Sequence, residues 1–396
     1  MRHYLVGGAV RDKLLGLPVR ERDWLVTGAD CETLLRSGYQ PVGKSFGIFL
    51  HPETKEEHAL PRGEATTDEH AQVVRDLQLR DLTINAIALS PEGEYIDPLD
   101  GRRDLQRRLL RHAPGFREDP LRILRLARFA ARFCSLGFRI ADETLTLARQ
   151  MAAGTEFRLL APERCWKEIE KGLTGSDPVR FFSTLRALGA LKSLTPELER
   201  LFGVPQPERH HPEIDTGVHS LLTLRRAVEL SPDSAVRLAA LLHDLGKGTT
   251  PEAEWPRHIG HEGRGAALVE KLCRRVKVPT RHRELATLTA ELHTHCHRAL
   301  ELKEGTVLKM FKRLDALRRP ERLHDLLLAC TADLRGRPGY ESHSYPQADY
   351  LTEVLEELRA LRPDLPPQLA GEAVGRFIDR QRIATIARLR RQWQAT

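Results

Sequence analysis

The chain has 396 residues, 41% hydrophobic and 30% charged, a balance that fits a globular protein of roughly two to four domains. Its formal charge of +7 permits a polyanionic partner such as nucleic acid, although an arginine-rich coding bias would give the same number. Six cysteines stand at 31, 134, 165, 273, 296 and 330 without a CxxC pair, and neither a leader-like segment nor an apolar run of about 18 residues occurs; a disulfide scaffold, secretion and membrane insertion are not expected, and a reducing, cytoplasmic setting is.

Residues 2–7 predict a strand entering Gly7-Gly8, followed by a helix from Val10 to Leu15. Residues 23–27 (DWLVT) predict a second strand and 30–36 a short helix. VGKSFGIFLHP and EEHALP read as further strands, and RDLTINAIAL with EYIDPLDGRRDL closes a small α/β unit. From Pro120 the period becomes helical, with apolar Leu121, Leu124, Ala127 and Ala131 in LRILRLARFAARF. Pro162, Pro178 and Pro196 each mark a helix start. The Pro-rich stretch 202–217 is the best interior linker candidate. HSLLTLRRAVEL and AVRLAALLHDLGKG read as helices of a further unit, and two amphipathic helices flank PDLPPQ in the tail. No internal repeat or sustained heptad is visible.

Glu21 and Asp23 are one residue apart, and in a strand such residues share a face. Two carboxylates on one face beyond a glycine turn can share divalent cations that bridge nucleotide phosphates. Gly7-Gly8 allows close approach of backbone N–H groups to phosphate, and Arg11 supplies a fork of donors one turn into the helix. Singly these signals are weak: such a carboxylate pair is more often a solvated face, and a GG pair is a turn in most proteins. Arg122, Arg125 and Arg128 recur every three residues on roughly one helix face, as phosphate contacts or as a solvated stripe. Asp119 equally suits a helix N-terminus ahead of Pro120.

A second cluster lies downstream. His243-Asp244 is polar at the end of an apolar helix, and imidazole with carboxylate suits a transition metal. His219 lies upstream and Asp333 downstream, while His258 and His261 could orient phosphate or shuttle protons. Lys247 could contact phosphate or solvate a helix end, and His293, His295 and His297 in LHTHCH read as structural.

The string GGAVRDxLLG with its carboxylate pair, LRDLTINA at 79–86, EDPLRILRLARFAARF at 118–133, HPEIDTGVH and LLHDLGKG together resemble the class II tRNA nucleotidyltransferase and poly(A) polymerase family, in its bacterial multifunctional CCA-adding branch with an HD phosphohydrolase domain. The resemblance covers nearly the whole chain. It implies a multidomain fold: an α/β polymerase-beta-like catalytic head at 1–113, an all-α neck and body at 114–210 for nucleotide recognition and tRNA binding, an all-α HD domain at 211–340 and a helical tail at 341–396. It implies untemplated addition of C, C and A to tRNA from CTP and ATP with release of diphosphate. Gly8, Arg11, Arg80, Asp119, Arg122, Arg125 and Arg128 match nucleotide-binding positions, and Glu21 and Asp23 match Mg2+ carboxylates. His219, His243, Asp244 and Asp333 match the H…HD…D metal set, His243 and Asp244 being catalytic, with Ni2+, Mg2+ or Mn2+ as the ion. The implied hydrolase is a phosphatase, 2′-nucleotidase and 2′,3′-cyclic phosphodiesterase. A monomer or homodimer with no membrane partner is expected. Two departures stand out: Glu21 replaces the family's usual Asp, and the segment 62–76 is about eleven residues short and lacks aromatics. The second motivates the expectation of weakened terminal A addition. The rival readings are a CC-adding enzyme, a poly(A) polymerase, and a noncatalytic RNA-binding protein.

Overall fold

The computed structural model describes residues 1–42, 47–63, 67–209 and 211–395. The chain divides into two compact units, Met1–Leu160 with Ala187–Ala190 and Ala161–Arg186 with Leu191–Thr396.

The first unit is built on seven strands: β1 (Arg2–Val6), β2 (Asp23–Thr27), β3 (Gln40–Pro41), β4 (Ile48–Leu50), β5 (Glu57–Ala59), β6 (Ala88–Leu89) and β7 (Tyr95–Ile96). Their order is β3-β4-β5-β2-β1-β6-β7, antiparallel except where β2 pairs with β5. Of the strand expected over 42–52, the described part is β4, and 43–46 lie outside the described residues. Alternation sorts the strand side chains to two faces. Tyr4, Val6 and Leu25 pack with Val73, Leu77, Ala86 and Ala88, whereas Val26 packs with Leu34, Tyr39 and Phe49 on the other side. Burial on both faces fixes the register, because a slip of one residue would turn every side chain over. That register sets Asp23 opposite Val6 on β1 and opposite Glu57 on β5.

The unit's helices are α1 (Gly8–Leu14), α2 (Cys31–Arg36), α3 (Glu69–Gln78), α4 (Gly101–Arg107), α5 (Arg122–Arg132), α6 (Asp142–Ala153) and α7 (Thr155–Arg158), and β8 (Leu109–Leu110) pairs in parallel with β9 (Arg139–Ile140). On α5 the residues Ile123, Leu124, Leu126, Ala127, Phe129, Ala130 and Ala131 are buried, and the arginines occupy the remaining face.

The rest of the chain is helical: α8 (Pro162–Thr174), α9 (Pro178–Ala187), α10 (Ala190–Leu194), α11 (Pro196–Glu199), α12 (Thr216–Leu230), α13 (Ser234–Leu242), α14 (His261–Arg275), α15 (Thr280–His297), α16 (Glu304–Leu314), α17 (Glu321–Gly336), α18 (Pro346–Ala360) and α19 (Glu372–Ala395). Pro162, Pro178 and Pro196 open α8, α9 and α11, where the missing N–H would have no intrahelical partner in any case. Among the described residues no helix is long and apolar enough to cross a membrane. The stretch 202–217, expected as a linker, is folded: Gln206 N–H donates to Ile214 O at 2.8 Å, Thr216 N–H to Val204 O at 3.0 Å, and Gln206, His211 and Thr216 are buried. Its prolines remove donors, and carbonyls of the same stretch accept from Gln206, His211, Ile214 and Thr216. His210 within it lies outside the described residues.

Helix α13 is buried on every side, Arg237 included, whose guanidinium donates to Ser231 O at 2.8 Å and Leu173 O at 2.7 Å. It packs against α12, α15 and α17, and α14 packs against α15. The turn after α13 meets the start of α14 at Gly246. A Cβ there would collide with the His261 carbonyl and lie 2.6 Å from Gly265 N. This close approach carries His261 toward the end of α13. Gly246→Ala is therefore expected to lower stability by about 1–3 kcal/mol through overpacking, while Gly263→Ala, where a Cβ meets nothing within 4 Å, leaves it unchanged or slightly higher. Thermal melts of the two variants beside the parent check this; equal melting temperatures would refute the close-approach argument.

Candidate functional site

In the first unit the carboxylates meet at the start of β2. Asp23 is the first residue of the strand, as expected for 23–27; Glu21 precedes it in irregular backbone, so the shared strand face expected for the pair is not formed. The two still feel one another. Desolvation and Glu21 hold the Asp23 carboxyl above its ordinary value, against the pull of Arg80, Arg11 and Arg125. Glu57, beside Asp23 on the parallel neighbour β5, is likewise raised, by desolvation and then by Asp23 and Glu21. The three carboxylates thus repel one another electrostatically, which suits a divalent cation, and Glu57 is a neighbour that the sequence alone did not point to.

The arginines around this site are held by buried aspartates. Asp81 Oδ1 accepts from Asn85 Nδ2 at 2.9 Å, and Asn85 Oδ1 accepts from Arg11 Nη1 at 2.5 Å. Arg11 Nε donates to Asp12 Oδ1 at 2.8 Å, and Arg132 Nη2 donates to Asp12 Oδ2 at 2.8 Å. Arg11 also lies 5.3 Å from the Phe129 ring centroid and 5.0 Å from that of Phe133. Arg125 Nε donates to Asp81 Oδ2 at 2.8 Å. Burial opposes ionisation of Asp81, but Arg125, Asn85 and the Leu82 N–H hold its carboxyl below the ordinary range. Arg80 is braced by buried Asp76, with Nε and Nη2 each 3.2 Å from Oδ2, and Arg62 Nε donates to Asp76 Oδ1 at 2.7 Å. Gly7, at φ +68, gives Arg80 its room: a Cβ would lie 2.5 Å from Arg80 Nη1.

The period-three arginines separate in role. Arg122 donates to Leu79 O at 2.8 Å, to Arg80 O at 3.2 Å and to Gly115 O, so its guanidinium clamps backbone. Arg125 joins Asp81, and Arg128 lies 4.7 Å from the Phe129 ring centroid. Asp119 Oδ1 accepts from Leu121 N–H at 3.0 Å at the head of α5. Gly8 is the first residue of α1, in contact with Arg11.

In the second unit four expected residues converge. His219 Nε2 lies 3.0 Å from Asp333 Oδ1, and its Nδ1 lies 2.8 Å from Glu213 Oε1. His243 Nε2 lies 3.1 Å from Asp244 Oδ2 and 3.7 Å from Asp333 Oδ2. His219, His243 and Asp244 bring ligand atoms within 4.8 Å of one another, as do His243, His293 and Asp333. Both Asp244 oxygens and His243 Nε2 are buried and lack a hydrogen bond of proper geometry, although Lys247 Nζ approaches Asp244 Oδ2 to 2.7 Å as an ion pair. Buried polar atoms left in this state fit a cation. His243 Nδ1 lies 2.8 Å from Ala240 O, which can only accept, so Nδ1 carries the proton when the ring is neutral and Nε2 presents its lone pair.

His261 and His293 also enter this site, His293 contrary to its reading as structural. His297 Nε2 lies 2.6 Å from Asp333 Oδ2 and its Nδ1 3.0 Å from Tyr345 Oη. His258 stays outside, its ring nitrogens engaged by Thr250 Oγ1 and Pro205 O. Lys247 is buried and donates to Gln206 Oε1 at 2.9 Å. A signal for His293 and His297 was available: they are four apart on a helix and share a face, which His295 does not.

The matching families agree with this layout. Residues 3–111 match the Poly A polymerase head domain, 137–202 the probable RNA and SrmB-binding site of polymerase A, and 216–335 the HD domain. A multifunctional CCA protein of Thioalkalivibrio sulfidiphilus is 53% identical over 407 residues, covering 99% of this chain and all of that protein. A multifunctional CCA protein of Teredinibacter turnerae is 55% identical over 371 residues, covering 91% and 90%. Among solved structures, a CCA-adding enzyme with CTP aligns at TM-score 0.67 and 20% identity over 97% of this chain and 87% of that one. The Thermotoga maritima CCA-adding enzyme complexed with tRNA aligns at 0.62 and 19% over 98% and 87%. These distant structures establish the fold.

The titrating groups predict a pH optimum for the stability of the metal-free protein. Burial pushes His211 and His293 each down to about 4, so between about pH 4 and 6.5 the unfolded chain binds more protons and stability rises with pH. Burial disfavours charge on His243 as well, but Asp244 and Asp333 raise it above 6.5, so its contribution is lost as pH rises above that point. Unfolding free energies of metal-free protein, from denaturant titrations, should peak near pH 6.5 and fall toward pH 4 by on the order of 3 kcal/mol per buried neutral histidine. A flat profile across that window would contradict the assignment.

With the head domain, the HD domain and near-complete coverage by close relatives in agreement, the chain belongs to the multifunctional CCA protein family, as an enzyme with a nucleotidyltransferase head and a metal-dependent HD hydrolase domain on one polypeptide.

Proposed function

We propose that this chain adds C, C and A to the tRNA 3′ end from CTP and ATP, and that its HD domain hydrolyses phosphomonoesters, 2′-nucleotides and 2′,3′-cyclic phosphodiesters. The observation that carries the first activity is the crowded carboxylate site facing arginines that buried aspartates hold in place. Glu21 and Asp23, with Glu57 beside them, would hold Mg2+, which supplies charge neutralisation on the triphosphate and a more acidic 3′-hydroxyl. The 3′-oxygen attacks the α-phosphorus, the bond between α-phosphorus and its bridging oxygen breaks, and diphosphate leaves while the hydroxyl gives up its proton. Arg11, Arg80, Arg125 and Arg128 bind and orient the nucleotide with Gly8 and Asp119, and Arg122 braces them from the backbone side. The names of solved relatives bound to CTP, ATP and tRNA favour these partners. The functional division is a head at 1–113, a neck and body at 114–210, an HD domain at 211–340 and a tail at 341–396. A cytoplasmic monomer or homodimer is proposed.

In the HD domain His219, His243, Asp244 and Asp333 would hold a divalent ion; the mixed imidazole and carboxylate donors suit Ni2+ or Mn2+, with Mg2+ less favoured by the nitrogens. The ion supplies Lewis acidity toward the phosphate. Water adds to phosphorus, the ester P–O bond breaks, and the leaving oxygen takes a proton.

Glu21→Gln combined with Asp23→Asn should lower CTP incorporation into tRNA lacking its CCA end by at least about a hundredfold while sparing hydrolysis of a 2′,3′-cyclic nucleotide. His243→Ala combined with Asp244→Ala should do the reverse. Gel separation at one-nucleotide resolution and phosphate release measure both; loss of the two activities together in either variant, with folding intact, would overturn the division of labour.

The short segment 62–76 favours a second reading, in which C addition outruns A addition. Of that segment, 64–66 lie outside the described residues. The alignment with the Thioalkalivibrio relative spans 407 positions against 396 residues here, so that relative carries residues without a counterpart in this chain. Incubation with CTP and ATP together should then accumulate product ending in CC; full CCA ends at ordinary ATP would remove this reading.

A further inference from the structure

A cavity of about 490 Å³ opens within the second unit, and none of its lining residues belongs to the two candidate sites described above. One wall is the start of α9 with the residues leading into it, and the other is α12. Buried contacts tie the two walls together. Arg237 donates from Nη1 to Leu173 O on α8 at 2.7 Å and from Nη2 to Val228 O on α12 at 3.4 Å. Gly172 lets α9 pack closely against α8, since a Cβ there would lie 2.6 Å from the Phe181 ring. The spacing of the side chains that line the cavity is therefore set before any ligand arrives.

The charges of the cavity are not balanced from within. Its two carboxylates are engaged: both Glu229 oxygens lie 3.0 Å from Arg226 Nη1, and Asp177 Oδ1 accepts from the Arg180 N–H at 2.8 Å. Its two guanidiniums, Arg180 from α9 and Arg225 from α12, belong to exposed residues and make no ion pair or side-chain hydrogen bond among the described residues. Two forks of donors from two helices on one recess suit a dianion. The same recess offers the apolar side chains of Val179 and Val228. It also offers Ser183, whose hydroxyl donates to Val179 O at 2.8 Å or to Arg180 O at 3.2 Å and so keeps its oxygen free to accept.

We propose that this cavity binds a mononucleotide, with its phosphomonoester held between Arg180 and Arg225, a sugar hydroxyl donating to Ser183 and the base or sugar resting on Val179 and Val228. The volume falls in the range of about 300–1,000 Å³ typical of small-molecule pockets. Charge favours a free nucleotide over an RNA strand. A phosphomonoester carries roughly two negative charges at neutral pH and matches both guanidiniums, whereas a backbone phosphodiester carries one and leaves the second unmatched. No histidine or cysteine is among the lining residues, so the cavity is a binding site rather than a third reaction centre.

The test measures 5′-UMP binding to the full-length protein by equilibrium dialysis, with chelator present to suppress metal-dependent binding elsewhere on the chain. Uracil is neither of the bases that the head is proposed to add. Arg180→Gln combined with Arg225→Gln should bind one equivalent less than the parent at saturation, with an unchanged melting temperature and unchanged C addition once Mg2+ is restored. Uridine, which lacks the phosphate, should show no difference between the two proteins. In the parent, which needs no variant, saturating UMP should protect Arg180 and Arg225 from modification by phenylglyoxal, read by peptide mass spectrometry. Equal UMP binding by both proteins, with neither arginine protected, overturns the proposal. So does a double variant that keeps its UMP but loses tRNA affinity with a salt dependence shallower by about two, because the cavity would then be a hold on the RNA backbone.

Discussion

A carboxylate removed from water must be compensated, and the two catalytic regions answer that demand in opposite ways. In the head, Asp12, Asp76 and Asp81 are buried and their oxygens are met by arginine, asparagine or backbone donors. In the HD domain, Asp244 is buried with neither oxygen in a proper hydrogen bond. The first arrangement makes a rigid scaffold. The second leaves Asp244 with the Lys247 ammonium beside one oxygen and with both oxygens free of hydrogen bonds, an arrangement that fits a further cation.

The head network explains why LRDLTINA carries these polar residues at this spacing. Asn85 is the relay: its amide donates to Asp81 while its oxygen accepts from Arg11. The donor and acceptor of one side chain therefore couple β1's glycine turn to α5 through Arg11 and Arg125. A buried amide of this kind is useful only when both ends are satisfied, and here they are. Arginines fixed in this way lose little freedom on meeting a phosphate, which is what orientation of a triphosphate requires.

Local chemistry was legible in the sequence; long-range pairing was not. The prolines at 162, 178 and 196 announce helix starts because φ and the missing donor act within one turn. DWLVT reads as a strand because alternation is local. Glu57 could not be read in this way, since it joins Asp23 only through the parallel pairing of β2 with β5 across more than thirty residues of chain. Nor could the folded state of 202–217, where composition argued for a linker and buried carbonyl pairing decided otherwise. His219, His243, Asp244 and Asp333 were candidates by their pattern and the fold brings them together, while His261 becomes a ligand candidate only through the contact at Gly246.

The α5 arginines show how far a periodic reading reaches. Spacing of three places Arg122, Arg125 and Arg128 on roughly one face, and α5 does keep its opposite face apolar and buried. Function, however, depends on what stands opposite each position. Arg122 meets three carbonyls at the turn of Leu79, Arg80 and Gly115, a place where a Cβ on Gly115 would itself lie 2.5 Å from Leu79 O. Arg125 meets a buried carboxylate, and Arg128 an aromatic ring. One stripe thus becomes a backbone clamp, a salt-bridged brace and a cation on an aromatic face. Charge alone does not distinguish these positions, because the guanidinium is the same at each; at Arg122 and Arg125 the acceptor presented by the rest of the head assigns the role, while the ring near Arg128 is that of its own helix neighbour. An Arg→Lys exchange would therefore be costliest at Arg122, where a planar fork spans several carbonyls at once and an ammonium could reach fewer of them.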